Sequence, residues 1–116
     1  MSVNDLLPEQ RPTEPTCERR TVNVAEDGDV LEALATTTAR RIATALHESP
    51  GTASKVANRT SISLQTVSYH LSRLENAGLI EVVGTRYSSK AQEMDVYAPT
   101  DARLVLRFGD DSPSAD

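Results

Sequence analysis

The chain has 116 residues, 38% apolar and 25% charged, with only four aromatic side chains, Tyr69, Tyr87, Tyr97 and Phe108. That length supports one small domain, and so little aromatic area makes its core aliphatic, which excludes two independent cores and disfavours an elaborate cofactor pocket. The net charge of −5 weighs on average against a nucleic-acid partner, but residues 37–90 hold seven basic and three acidic side chains, a net +4, and the remainder carries −9.

Residues 1–20, with Pro8, Pro12, Pro15 and no helical or strand period, read as a flexible arm. Met1–Gln10 has neither the basic start nor the apolar stretch of a signal peptide, and no apolar run approaches the roughly 20 residues that span a bilayer. A cytoplasmic protein with no membrane association is expected. The single cysteine, Cys17, lies in this arm and excludes an intramolecular disulfide and a cysteine-rich zinc site; an inert thiol is expected. Val22 and Val24 alternate with polar neighbours and predict a short strand at Thr21–Val24, turned by Asp27, Gly28 and Asp29. Val30, Leu31, Leu34 and Ala35 then form the apolar stripe of a helix that Asp29 is placed to cap.

Thr36–Thr38 offer a second cap for a helix over Thr38–Glu48, with Ile42, Ala45 and Leu46 inward and Arg40 and Arg41 outward. Pro50 and Gly51 stop it. A short helix, Thr52–Asn58, presents Ala53, Val56 and Ala57, and after a tight turn at Arg59–Ile62 a longer helix runs over Ser63–Asn76 to a C-cap at Ala77 and Gly78. Leu79–Tyr87 and Glu93–Ala98 alternate as two strands joined by a polar tip, a β-hairpin that Pro99 ends. Leu104–Phe108 suggests a last strand. The expected organisation is an arm at 1–20, a domain at 21–108 and an acidic tail at 109–116.

Short helices, a tight turn, a longer helix and a hairpin follow the order of a winged helix-turn-helix, an α+β fold of about four helices plus a β-hairpin wing. Ser63, Thr66, Val67, Ser68, His70, Leu71, Leu74, Ala77, Gly78 and Leu79 fill the places of a motif that closely resembles the recognition helix of bacterial and archaeal winged-helix regulators of the ArsR type. The resemblance covers about residues 29–99. Within it Tyr87–Pro99, with Glu93-Met94-Asp95-Val96-Tyr97, resembles haloarchaeal members in particular. Ten Arg against two Lys, with an acidic excess and plentiful Ala and Thr, also looks like a halophile's composition, though a GC-rich genome alone favours Arg. The resemblance implies a sequence-specific transcriptional regulator of double-stranded DNA acting as a homodimer. One recognition helix reads only a few base pairs, so a two-fold pair is also expected on physical grounds.

At about 100° per residue, Val67, Leu71, Leu74, Leu64 and Ser63 make the buried stripe of the Ser63–Asn76 helix, and Gln65, Thr66, Tyr69 and Arg73 fall on the opposite arc. Gln pairs with adenine, Thr touches a thymine methyl, Arg pairs with guanine or holds a phosphate, and Tyr69 lies along a sugar or a methyl. Ser63 and Ser68 join them as candidate DNA contacts. Arg86 and Lys90, with Ser88 and Ser89, suit a wing at the minor groove or a phosphate, ordinary loop charge being the alternative. Thr52, Ser54 and Lys55, at a helix N-terminus with free N–H groups, are candidate phosphate contacts. Segregating charge in this way leaves one positive surface on an acidic molecule.

His70 falls beside the buried stripe and is expected to be a packing residue satisfied by one hydrogen bond; His47 opposes its helix dipole. Metal-sensing members of the family place paired cysteines before the recognition helix or acid and histidine pairs on a terminal helix. Here Ser54, Lys55 and Val56 occupy the thiol region, so no metal and no cofactor are expected. No nucleophile with base and orienter and no glycine-rich phosphate loop is present, so the chain does not read as an enzyme. The alternative is a winged-helix protein-interaction module that does not bind DNA, which the charge of −5 favours; an effector or partner protein is left open. The expected dimer surface is the Val30–Ala35 helix with Leu104–Phe108 or Val22–Val24.

Overall fold

The computed structural model describes residues 17–109, so residues 1–16 of the expected arm and 110–116 of the expected tail lie outside the described residues. In chain order the elements are β1 (Cys17–Asn23), α1 (Gly28–Ala33), α2 (Thr37–Glu48), β2 (Gly51–Thr52), α3 (Ala53–Thr60), α4 (Leu64–Asn76), β3 (Ile80–Tyr87), β4 (Glu93–Pro99) and β5 (Asp101–Arg107). The expected α+β order of four helices followed by an antiparallel hairpin is present. Hydroxyl caps fix three helix starts. Thr36 accepts from the Ala39 N–H at 3.0 Å, Thr52 from Lys55 at 3.2 Å and Ser63 from Thr66 at 3.2 Å.

Several boundaries differ from the sequence reading, each for a nonlocal or local physical reason. β1 begins at Cys17, so 17–20 are paired strand and not arm; its partner is β5, parallel, from Cys17↔Asp101 to Asn23↔Arg107. α1 starts at Gly28 after Asp27, not at an Asp29 cap, and the Asp27 carboxylate instead accepts from the Asn23 N–H at 2.8 Å. Gly51 and Thr52, expected to stop one helix and start the next, form β2 and pair with Tyr97 and Val96 of β4. α3 runs on to Thr60, and the turn is made by Ser61 in the left-handed region at φ 60°, its N–H donating to Ala57 at 2.9 Å. The last strand starts earlier than expected, at Asp101, and stops at Arg107.

The core is aliphatic: Val22, Ile42, Leu46, Val56, Val67, Leu71 and Leu74 are the largest fully buried side chains. The inward face of α2 is as expected, with Ile42, Ala45 and Leu46 buried. Leu64 and Ser63 are the exceptions at the start of α4: Leu64, the first helical residue, is 50% exposed, and Ser63, the N-cap, is exposed as well, so neither joins the buried stripe.

Arginines close open carbonyls across the fold. Arg40 donates to Leu34 O at 2.7 Å, Arg41 to Thr60 O at 2.6 Å and Arg59 to Ser49 O at 2.8 Å. Arg20 of β1 donates to Gly78 O at 2.8 Å, just past α4, and lies 3.7 Å from the buried carboxylate of Asp101. The Thr100 hydroxyl also reaches Gly78 O at 2.8 Å. The β1·β5 ribbon is thereby tied to the end of α4. Gly78 has φ +77°, and a Cβ there would meet Arg20 Nη1 at 3.3 Å. Gly78→Ala is therefore expected to cost about 1–2 kcal/mol through left-handed strain, with added displacement of Arg20. Urea unfolding checks it, and an unchanged midpoint would mean that neither strain nor crowding is felt.

Candidate nucleic-acid interface

α4 is amphipathic in the way its spacing requires. Val67, Leu71 and Leu74 are buried against α2 and α3, and the opposite arc presents Gln65, Ser68 and Tyr69 to the outside. Thr66 and Arg73 are half-buried at its margins. Tyr69 is 57% exposed, and Arg73, one turn on, donates to its hydroxyl at 3.1 Å with the guanidinium carbon 5.7 Å from the ring centroid. That contact holds the phenol and the cation in one orientation on the arc. The Ser63 hydroxyl is engaged with its own helix, capping Thr66 N and donating to Thr66 Oγ1 at 2.9 Å.

The N-terminus of α3 and the root of the wing share a cleft of about 370 Å³, lined by Ser54, Lys55, Asn58, Arg86, Tyr87 and Ser88 among others. The fold thus brings together Lys55 and Arg86, which are 31 residues apart in the chain and were read as separate contacts. Asn58 and Tyr87 were missed. Tyr87 is 70% exposed beside Arg86, an aromatic interleaved with a cation, and that adjacency was the available signal. The Thr52 side chain is buried and its hydroxyl caps Lys55, so the contact expected at this end is left to the remaining first-turn N–H groups. Lys90 is exposed at the wing tip, outside the cleft lining. There the Ser88 hydroxyl accepts from the Lys90 and Gln92 N–H groups at 3.2 and 3.1 Å and shapes the turn.

His70 is half-buried beside the stripe, with its ring edge-on to Tyr69 at 5.0 Å. The hydrogen bond expected to satisfy it is not made at Nδ1, which is buried without a partner among the described residues. Burial first, and then the Arg73 guanidinium, hold its pKa below the ordinary 6.5. The unfolded chain therefore binds more protons than the folded one as pH falls through 6.5, and stability declines in that direction. His70→Gln is expected to flatten the slope of unfolding free energy just below pH 6.5. An unchanged slope would remove His70 from the account of acid sensitivity.

Groups of three or more His, Cys, Asp or Glu placed to hold a metal are absent among the described residues. No helix among them is long and apolar enough to cross a membrane.

A helix-turn-helix domain family matches residues 34–83, which takes in α2 to the start of β3. Among solved structures, the chain is similar to the homodimeric winged helix-turn-helix DNA-binding domain of a possible ArsR-family transcriptional regulator from Mycobacterium bovis. The identity is 25% and the TM-score 0.51, over 63% of this chain and 62% of that one, so this chain spans less than two thirds of that domain's length. It is also similar to a crystallised ArsR family transcriptional regulator at 25% identity and a TM-score of 0.49, over 62% of this chain and 72% of the other. No curated protein matches. With four helices, an antiparallel wing and a helix-turn-helix match across α2–β3, the chain has the winged helix-turn-helix fold.

Proposed function

We propose that this chain is a sequence-specific, double-stranded-DNA-binding transcriptional regulator of the ArsR type, without enzymatic activity, that works as a homodimer in the cytoplasm of a halophilic archaeon. The observation that carries the reading is the outer arc of α4, where Gln65, Ser68 and Tyr69 stand exposed opposite a fully buried stripe. Such an arc is what a recognition helix offers a major groove. Gln65, Tyr69, Arg73 and Thr66 are the base-reading candidates, with Ser63 and Ser68 at their margin. Lys55, Ser54 and Arg86 around the shared cleft, with Lys90 at the wing tip, are the candidates for phosphate or minor-groove contact.

A protein-interaction module is the second reading. The charge of −5 favours it, as does the wing strand β3, which leaves Val82 and Val83 more than a third exposed. Incubating the protein with labelled fragments of its own genome, with excess unlabelled random DNA, separates the two. Retention of a discrete set of fragments supports the regulator, and no retarded fragment at any salt concentration supports the interaction module.

A further inference from the structure

We propose that β5 is the dimerisation strand: its open edge pairs antiparallel with β5 of a second copy and forms a continuous four-stranded sheet in the order β1-β5-β5-β1. The inference gives a surface to the two-fold assembly proposed above and rests on it.

The β1·β5 ribbon is a sheet of only two strands, paired in parallel, and such a sheet is marginal by itself. Its two outer edges differ. Along β1, Glu18 and Arg19 are exposed charges of the kind that blunt a free edge. β5 also carries an exposed charge near its start, Arg103, but along its second half and just after it Val105, Leu106 and Phe108 are 39%, 55% and 81% exposed. Phe108 is not a loose end, because Asn23 Nδ2 donates to the next carbonyl, Gly109 O, at 2.9 Å.

The backbone shows which groups face outward. Val24 N–H donates to Arg107 O at 2.8 Å, so Arg107 turns its peptide groups toward β1. By alternation Leu104 and Leu106 turn theirs to the open edge. A two-fold axis across that edge generates an antiparallel pair directly. Centred at Leu106, it sets Leu106 against the partner's Leu106 and Leu104 against the partner's Phe108, apolar against apolar on one face.

Area supplies at most about two thirds to three quarters of what this occupant needs, the remainder falling to main-chain pairing. The exposed parts of Val105, Leu106 and Phe108 offer roughly 350 Å² per copy, taking 150–250 Å² for a large exposed side chain. The apolar share of a standard half-interface of about 800 Å² is roughly 450–520 Å². The other expected surfaces have less to give: Val22, Val30 and Ala33 are buried in their own protomer, and Leu31 and Leu34 are already half-buried against the core.

The test uses the full chain with Cys17→Ser, followed by sedimentation over a range of concentrations and by circular dichroism. The expected result is a dimer whose dissociation constant rises at least about a hundredfold in Leu106→Lys, since the two-fold places each new charge beside its copy. Phe108→Ser, beyond the strand, is the companion variant if Leu106→Lys loses its fold. With a short thiol-to-thiol crosslinker, Leu106→Cys should crosslink, because directly opposed hydrogen-bonded residues lie about 5.5 Å apart at Cα. Arg103→Cys should not. A dimer that survives Leu106→Lys and Phe108→Ser but is lost in Leu31→Lys overturns the β5 surface and leaves the two-fold reading standing. A chain that stays monomeric at all concentrations overturns both.

Discussion

Leu71→Ala is expected to lower the unfolding free energy by about 2–5 kcal/mol. Leu71 is 1% exposed on the inner face of α4 and belongs to the same cluster as Ile42, Leu46, Val56, Val67 and Leu74. The aromatic packed against this cluster, Tyr97, is only partly buried and held in β4, and the buried neighbours are branched aliphatics on capped helices, so collapse around the cavity is limited. A domain of this size has about 5–15 kcal/mol in total, so the loss removes a large part of its stability. Leu64→Ala, on the same helix but half-exposed, is the internal comparison and should cost no more than about 1 kcal/mol. Urea unfolding of the three proteins measures both. Equal losses at the two sites would mean that the stripe is not the packed face of α4.

The second large effect is on salt. In the described structure Lys55, Arg86 and Lys90 are exposed cations without a side-chain hydrogen bond or ion pair, whereas Arg40, Arg41 and Arg59 each cap a carbonyl. Three such cations per copy, doubled in a dimer, would by counterion release alone weaken DNA binding about 10⁵-fold per tenfold rise in salt, at roughly 0.9 log unit per phosphate. The remainder of the chain, at −9, acts the other way. It repels DNA over a Debye length of about 10 Å at 0.1 M that shrinks to about 3 Å at 1 M, so screening removes a repulsion along with the attraction. Cation uptake at acidic positions near the interface would offset counterion release further. The expected result is a shallower slope and a specific complex that persists in molar potassium chloride, measured as the operator dissociation constant from 0.1 to 2 M. Steep loss, with no specific complex above about 0.5 M, would contradict the halophilic reading and leave the fold untouched.

Helix identities were legible because periodicity and caps are local. Val67, Leu71 and Leu74 share a stripe by spacing alone, and Thr36, Thr52 and Ser63 each precede a run of helix formers. The misreadings concern what a local window does not contain. β1 gains its first residues from β5, 84 positions away, and β2 exists only because β4 lies beside Gly51 and Thr52. A helical wheel carries no information on where the core ends, which is why Leu64 was placed inside. The shared cleft of Lys55 and Arg86 required the hairpin to fold back over α3, which spacing in the chain does not encode.

The most direct test of α4 as the reading element compares operator and random DNA for four variants, Gln65→Ala, Tyr69→Ala, Arg86→Ala and Lys90→Ala. The first two are expected to lose about 1–3 kcal/mol of discrimination wherever a base contact is removed, with random-DNA binding little changed. The other two should weaken binding to both DNAs alike, since phosphate contacts carry no sequence information. Identical loss of specificity in the two groups would contradict the division between a reading helix and a positioning wing.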